Sequence, residues 1–194
     1  MTLTKNSFRN RCLKKMRIVS QHNKIYRNKK INQKLLKELK GMKNKKILFY
    51  YPLGFEANII DTLLYMRKSC EIYIPFMEGE SFKMVLFRLP LKQKKFGIFE
   101  AGNSLRTIKK IDVAIVPAVG VDFNLQRVGF GKGMYDRFFA KLKTKPYTIF
   151  IQSEFCYTNR KVCDSYDISA DLLLTPKIRK TSKKYNYKRT IDVR

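Results

Sequence analysis

Residues 46–76 constrain this chain more than any other stretch. "KILFYYP" (46–52) is a short apolar run, "ANIIDTLLYMRK" (57–68) brings Ile60, Leu63 and Leu64 round at helical spacing, and "EIYIPF" (71–76) is a second apolar run. Strand, helix and strand at this spacing make a βαβ unit, so the two strands are expected to pair in parallel. Four further runs continue the strand series: "KMVLFRL" (83–89), "DVAIVPAV" (112–119), "YTIFIQ" (147–152) and "DLLLTP" (171–176). A helix is expected over 134–142, where Tyr135, Phe138, Phe139 and Leu142 follow helical spacing. Upstream, 5–17 and 31–40 read as helices, the second with Ile31, Leu35, Leu36 and Leu39 on one face and Gly41 at its end.

The expected fold class is therefore α/β: an open, mostly parallel sheet with helices on both faces, three-layer α/β/α and Rossmann-like. A length of 194 residues suits one domain, placed at 1–176, with 177–194 as a basic tail for which disorder is one reading. Charge is concentrated at the ends: sixteen Lys and Arg against one acid in 1–46 and eight against one in 177–194, leaving 47–176 at only +5 of the total +27. Such ends suit a nucleic-acid-binding module through phosphate contacts, and that remains the alternative from a different class. It lacks any aromatic-basic RNA motif or zinc spacing, so nucleic acid is not an expected partner. No apolar run approaches the roughly 20 residues of a membrane helix, and the N-terminus lacks the apolar centre of a secretory signal, so no membrane partner and a cytoplasmic location are expected. Cys12, Cys70, Cys156 and Cys163 form no CxxC pair and accompany a single histidine, His22. Neither a zinc site nor a disulfide framework is indicated, and reduced, structural cysteines are expected.

Open parallel sheets bind ligands at the carboxyl ends of their strands, so three loops there matter most. In "RVGFGKGMYD" (127–136), Gly129, Gly131 and Gly133 let backbone N–H groups turn toward an anion ahead of a helix, and Lys132 adds a mobile point charge. The stretch is neither a Walker A loop nor GxGxxG, because Met134 stands where the third glycine would be, and a plain structural bend competes with a phosphate cradle. On the first helix Lys5 and Arg9 fall within the apolar face of Phe8, Cys12, Leu13 and Met16, so they must snorkel, meet carboxylates or meet a ligand's phosphates. In "YYPLGFEAN" (50–58), Glu56 is either a helix-start acid or a carboxylate for ligand N–H groups, with Tyr51 and Phe55 able to stack on a flat heterocycle. In "CDSYDISADLLLTP" (163–176), Asp164, Asp167 and Asp171 are candidates to join Asp136 on Mg²⁺, which takes a few carboxylates plus phosphate oxygens.

Together these residues resemble the 5-formyltetrahydrofolate cyclo-ligases, over roughly 5–176. The resemblance lies in Lys5 and Arg9 four apart, Tyr51, Pro52 and Glu56 after the first strand, "VPAVGVDFNLQRVGFGKGMYDR" (116–137), and Asp167, Asp171 and Thr175 near the end. Leu125, Met134 and Ala101 depart from the family's usual glycine, aromatic and proline. The resemblance implies an ATP-dependent conversion of 5-formyltetrahydrofolate to 5,10-methenyltetrahydrofolate, by phosphorylation of the formyl oxygen and attack by N10. It implies Lys132 and Arg127 as catalytic residues, and ATP bound by Lys5, Arg9, Arg127, Gly129, Phe130, Gly131, Lys132, Gly133, Met134, Tyr135, Asp136 and Arg137. Tyr51 and Glu56 would hold the folate, and Asp136 and Asp167 the Mg²⁺; separately from the resemblance, a monomer is expected. Another nucleotide- or CoA-dependent enzyme on the same scaffold is the remaining alternative.

Overall fold

A computed structural model describes residues 3–93, 99–102, 108 and 110–182. Two helices come first, α1 (Lys5–Ser20) and α2 (Lys24–Leu39), followed by β1 (Lys46–Leu48), α3 (Ile60–Met66), β2 (Glu71–Glu78) and β3 (Ser81–Leu86). The small pairs β4 (Lys92–Gln93) with β5 (Phe99–Glu100) and β7 (Gly120–Val121) with β8 (Arg127–Val128) flank β6 (Val113–Pro117). The chain closes with α4 (Met134–Ala140), β9 (Tyr147–Ile151), β10 (Leu172–Leu174) and β11 (Arg179–Thr181).

The main sheet has seven strands in the order β11-β10-β9-β6-β1-β2-β3. The five from β10 to β2 pair in parallel, as the βαβ reading requires, while β3 and β11 run antiparallel at the two edges. Alternate residues of each strand feed opposite faces. Ile47, Ile72, Ile115, Ile149 and Leu174 join Ile31, Leu35 and Leu39 of α2 and Leu63 of α3 in one core. Leu48, Tyr73, Val116, Phe150 and Leu173 join Phe138 and Phe139 of α4 in the other. Helices thus cover both faces, and every residue of β6 is buried, as a central parallel strand should be.

Helix α1 is started by Thr4, whose hydroxyl accepts the Ser7 N–H at 3.1 Å in a capping box. Its stripe of Phe8, Cys12 and Met16 packs on a third core with Val119, Val128, Cys156 and Cys163, each large side chain contributing about 1.5–3 kcal/mol of burial. The approach to β7 is close enough that a Cβ on Gly120 would stand 2.7 Å from the Phe8 ring and 2.9 Å from Cys12 Sγ.

Several expectations change. The "KMVLFRL" run forms a strand as expected, but the strand starts at Ser81, ends at Leu86 and pairs antiparallel with β2 in a hairpin turned at Gly79 with φ +58°. Leu64 is exposed, because the short α3 turns Leu63 and Met66 inward instead. Helix α2 begins at Lys24, well before 31, after Asn23 in the left-handed region. Cys12 and Cys156 form a disulfide with Cα atoms 5.7 Å apart, contrary to the expectation of reduced cysteines, while Cys70 and Cys163 are free and buried. The basic segment after 176 contributes β11 to the sheet, and only the part beyond 182 lies outside the described residues. Leu125 keeps the positive φ, +55°, that a glycine would adopt there, and its side chain is buried in the second core. Among the described residues no helix is long and apolar enough to cross a membrane.

Candidate active site

The segments that follow β6 and β9, together with α1 and α4, line a cavity of about 540 Å³. Five cations line it: Lys5 and Arg9 from α1, Arg127 from β8, Lys132 from the glycine loop and Arg137 from α4. Asp136, Asp164 and Asp167 face them, with Gly129, Gly131 and Gly133 on the wall between. Gly131 and Gly133 hold φ of +108° and +57°, a region open to glycine at little cost, which is why the loop can turn so tightly into α4.

The cations are held in different ways. Lys5 Nζ lies 2.9 Å from Asp164 and also contacts Asp167. Burial works to lower the Lys5 pKa, but the two carboxylates outweigh it and the net shift is upward. Asp164 is held below its ordinary value by the Lys5 and Tyr166 hydrogen bonds. Arg9 Nε donates to Gly129 O at 2.9 Å, fixing α1 to the glycine loop. Arg137 donates to Lys132 O at 2.5 Å and to Glu80 O at 2.8 Å. Arg127 is almost wholly buried: it donates to Pro117 O and to Asp136, each at 3.2 Å, and its guanidinium lies 5.0 Å from the Tyr135 ring centroid. Its Nε has no partner among the described residues.

Glu56 stands apart from this cavity. It lines a narrow cleft of only about 10 Å³ with Phe55, Lys24, Arg27, Asn28 and Ser153. Its carboxylate accepts the Leu53 N–H at 2.8 Å, and its own N–H returns to Leu53 O at 3.0 Å, making a closed turn. Burial pushes its pKa up to about 7, opposed by that hydrogen bond and by the Arg127 charge. A dry carboxylate with little internal compensation is suited to accept N–H donors from a ligand. Tyr51, after β1, packs against the first core.

Not every residue implied by the resemblance reaches the large cavity. Phe130, Met134 and Tyr135 are absent from its wall; Met134 and Tyr135 pack on the second core, and the Phe130 ring lies against Phe55. Asp171 accepts the Thr148 N–H at 2.8 Å at the amino end of its strand, and Thr175 ties the β10–β11 turn by accepting Lys177 and Ile178 N–H groups, so both act in the sheet. Tyr166, 71% exposed on the cavity wall, had no signal in the sequence beyond its place between two aspartates.

The carboxylates fit a Mg²⁺ ion only as partial ligands. Asp136 already accepts Arg127 on one oxygen and the Ile168 N–H on the other. Among the described residues no three His, Cys, Asp or Glu side chains converge closely enough to hold a metal unaided. Mg²⁺ that keeps waters and takes phosphate oxygens needs just one or two carboxylates, and Asp136 and Asp167 on one wall can supply those.

The 5-formyltetrahydrofolate cyclo-ligase family model matches residues 1–177. The 5-formyltetrahydrofolate cyclo-ligase of Mycoplasma pneumoniae is 28% identical over 173 residues, covering 89% of this chain and 98% of its own. That of Mycoplasma genitalium is 28% identical over 174 residues, covering 88% and 96%. The fold is similar to the structure of Aquifex aeolicus 5,10-methenyltetrahydrofolate synthetase, with a TM-score of 0.74 at 24% identity over 98% of this chain and 97% of that one. A family match across nearly the whole chain, over a sheet beside which cations and loop glycines gather at one cavity, leads to one conclusion: this chain belongs to the 5-formyltetrahydrofolate cyclo-ligase family.

Proposed function

We propose that this enzyme uses ATP to convert 5-formyltetrahydrofolate into 5,10-methenyltetrahydrofolate, releasing ADP and phosphate. The observation that carries the reading is the gathering of five cations and three loop glycines on one cavity beside a separately buried carboxylate, Glu56. A formyl amide is a poor electrophile because nitrogen donates into its carbonyl. Transfer of the γ-phosphoryl group to the formyl oxygen turns that oxygen into a leaving group. The N10 amine then bonds to the formyl carbon, the C–O bond breaks with its electrons going to phosphate, and the N10 proton is lost to give the methenyl bridge.

No covalent nucleophile on the protein is needed, so its work is positioning and charge neutralisation. Lys132, Arg9 and Lys5 meet the phosphate oxygens, and glycine-loop N–H groups complete the cradle. Arg127, fixed between Pro117 O and Asp136, sets a positive charge on the wall nearest Glu56. Asp136 and Asp167 would hold a Mg²⁺ ion bound with the nucleotide, which would supply further charge neutralisation. Glu56 accepts N–H donors of the pterin, with Tyr51 beside it.

The test is direct. Protein mixed with 5-formyltetrahydrofolate, ATP and Mg²⁺ should generate the methenyl absorbance with one ADP per product, and omission of ATP should abolish it. Folded protein that yields no product under these conditions would sink the reading.

A further inference from the structure

The glycine loop presents two faces to two compartments. Gly129, Gly131 and Lys132 line the large cavity, while the ring of Phe130 lies against Phe55, with centroids 5.3 Å apart and planes at 56°. Phe55, next to Glu56, is on the wall of the narrow cleft. A loop that needed only N–H groups for an anion has no use for a phenylalanine left 37% exposed at its tip. The ring is accounted for by what it touches.

Each ring is also held from behind. On one side Arg9 grips Gly129 O and Arg137 grips Lys132 O. On the other, Lys24 Nζ donates to Gly54 O at 2.7 Å, and the Leu53–Glu56 turn closes around Phe55. The positive charge of Arg127, on the cavity wall, also favours the ionised form of Glu56. Displacing either loop would therefore be felt by the other.

We infer that Phe130 is a positioning residue that couples the two compartments: through Phe55, it makes nucleotide binding and folate binding mutually favourable. The inference rests on the proposed assignment of the cavity to nucleotide and of Glu56 to folate, whose entry requires the cleft, about 10 Å³ as it stands, to widen around Phe55. The ring contact exists only while both loops hold this arrangement, so whichever ligand orders one loop removes part of the ordering cost for the other. Linkage makes the effect reciprocal. An aromatic pair of this geometry corresponds to about threefold to tenfold in affinity.

Calorimetric titration with the non-hydrolysable analogue AMP-PNP and Mg²⁺, with and without saturating 5-formyltetrahydrofolate, measures the coupling, and the reverse titration checks reciprocity. The parent protein should bind each ligand about threefold to tenfold more tightly in the presence of the other. In F130A the two affinities should become independent, and F130Y, which keeps the ring, should restore the coupling. Amide exchange at 129–133 should slow when folate alone binds the parent, and should not respond in F130A. If F130A does not fold, F130L keeps the apolar bulk without the ring and serves the same test. Retention of the parent's coupling in these variants overturns the inference. So does a loss of more than about tenfold in AMP-PNP affinity alone with the coupling ratio unchanged, which would make Phe130 a nucleotide contact. A parent protein that binds both ligands independently overturns the coupling alone, whereas one that binds neither strikes at the functional reading beneath it.

Discussion

The large cavity and the narrow cleft, though neighbours, treat charge in opposite ways. In the cavity, positive and negative side chains answer one another: Lys5 with Asp164 and Asp167, Arg127 with Asp136. Lys5 and Asp164 keep some exposure to water, whereas Asp167, Arg127 and Asp136 are mostly buried and rely on their ionic partners. In the cleft a single carboxylate is 6% exposed, accepts one backbone N–H from Leu53 and is pushed up to about 7. The cavity is thus prepared for a ligand bearing several charges that exchanges one set of ionic partners for another. The Glu56 carboxylate, by contrast, can take up hydrogen-bond donors only if its cleft, about 10 Å³, widens.

The largest effect is expected in the cavity. Lys132 is exposed, so Lys132→Ala should leave thermal stability within about 0.5 kcal/mol of the parent. Turnover should fall by about 10²- to 10³-fold if the lysine neutralises a transferring phosphoryl group. Arg9→Ala should act in the same direction, and the double variant should lose less than the product of the two, because both would serve the same phosphates. Steady-state kinetics and melting curves of all three test this. Near-parental turnover throughout would make the loop a structural bend and erase the contrast.

The cleft should respond differently. Glu56→Gln should weaken 5-formyltetrahydrofolate binding by about 10- to 100-fold while nucleotide binding holds, a hydrogen bond to a charged group being the term removed. Its effect on stability has the opposite sign. The folded-state pKa, about 7, lies above the ordinary 4.5, so the fold favours the protonated acid. That contribution is complete below pH 4.5 and is lost as pH rises through 7, leaving a cost of about 3 kcal/mol for the buried anion at pH 8. Glu56→Gln should therefore be more stable than the parent at pH 8 and should lose that advantage toward pH 4.5. Melting curves across this range decide the matter, and a variant less stable at pH 8 would show that Glu56 is adequately compensated within the protein.

The smallest effect concerns Asp164. Its carboxylate is exposed and shares Lys5 with Asp167. Asp164→Asn should barely move the melting temperature and should improve AMP-PNP affinity by no more than about fivefold, since Lys5 then has one fewer internal partner. Titrations with and without Mg²⁺ sharpen the point. A loss of affinity only when Mg²⁺ is present would instead place Asp164 among the metal's ligands.

Much of the fold was legible because periodicity is a local property. The βαβ unit of 46–76 and the apolar runs at 112–119 and 147–152 carried their burial in their own composition, and the parallel centre followed. The glycine loop and the Lys5–Arg9 pair were legible for the same reason. What failed depended on distant partners. Cys12 and Cys156 are 144 residues apart, so no spacing rule could pair them. The antiparallel sense of β3 depended on a tight turn at Gly79, which apolar counting does not register. Phe130 sits among cavity residues in the chain, yet its ring goes to a loop 75 positions earlier, at Phe55. Asp171 resembled its neighbours Asp164 and Asp167 in type but faces the amino end of the sheet.

Strand β11 gives part of the chain's positive charge a physical setting. Among the described residues, Arg179–Thr181 is the outermost strand on its side of the sheet, bonded to β10 and to no strand beyond. An outer strand with unpaired backbone groups is a template for a second molecule, and sheets grow by that route into aggregates. Here the strand is three residues long and two of them are Arg179 and Lys180. A second copy adding itself edge to edge would bring the same cations against them, on molecules that each carry +27. With Arg179 paired to Glu38, Lys180 and the shortness of the strand are what make this rim a poor template for edge-to-edge growth.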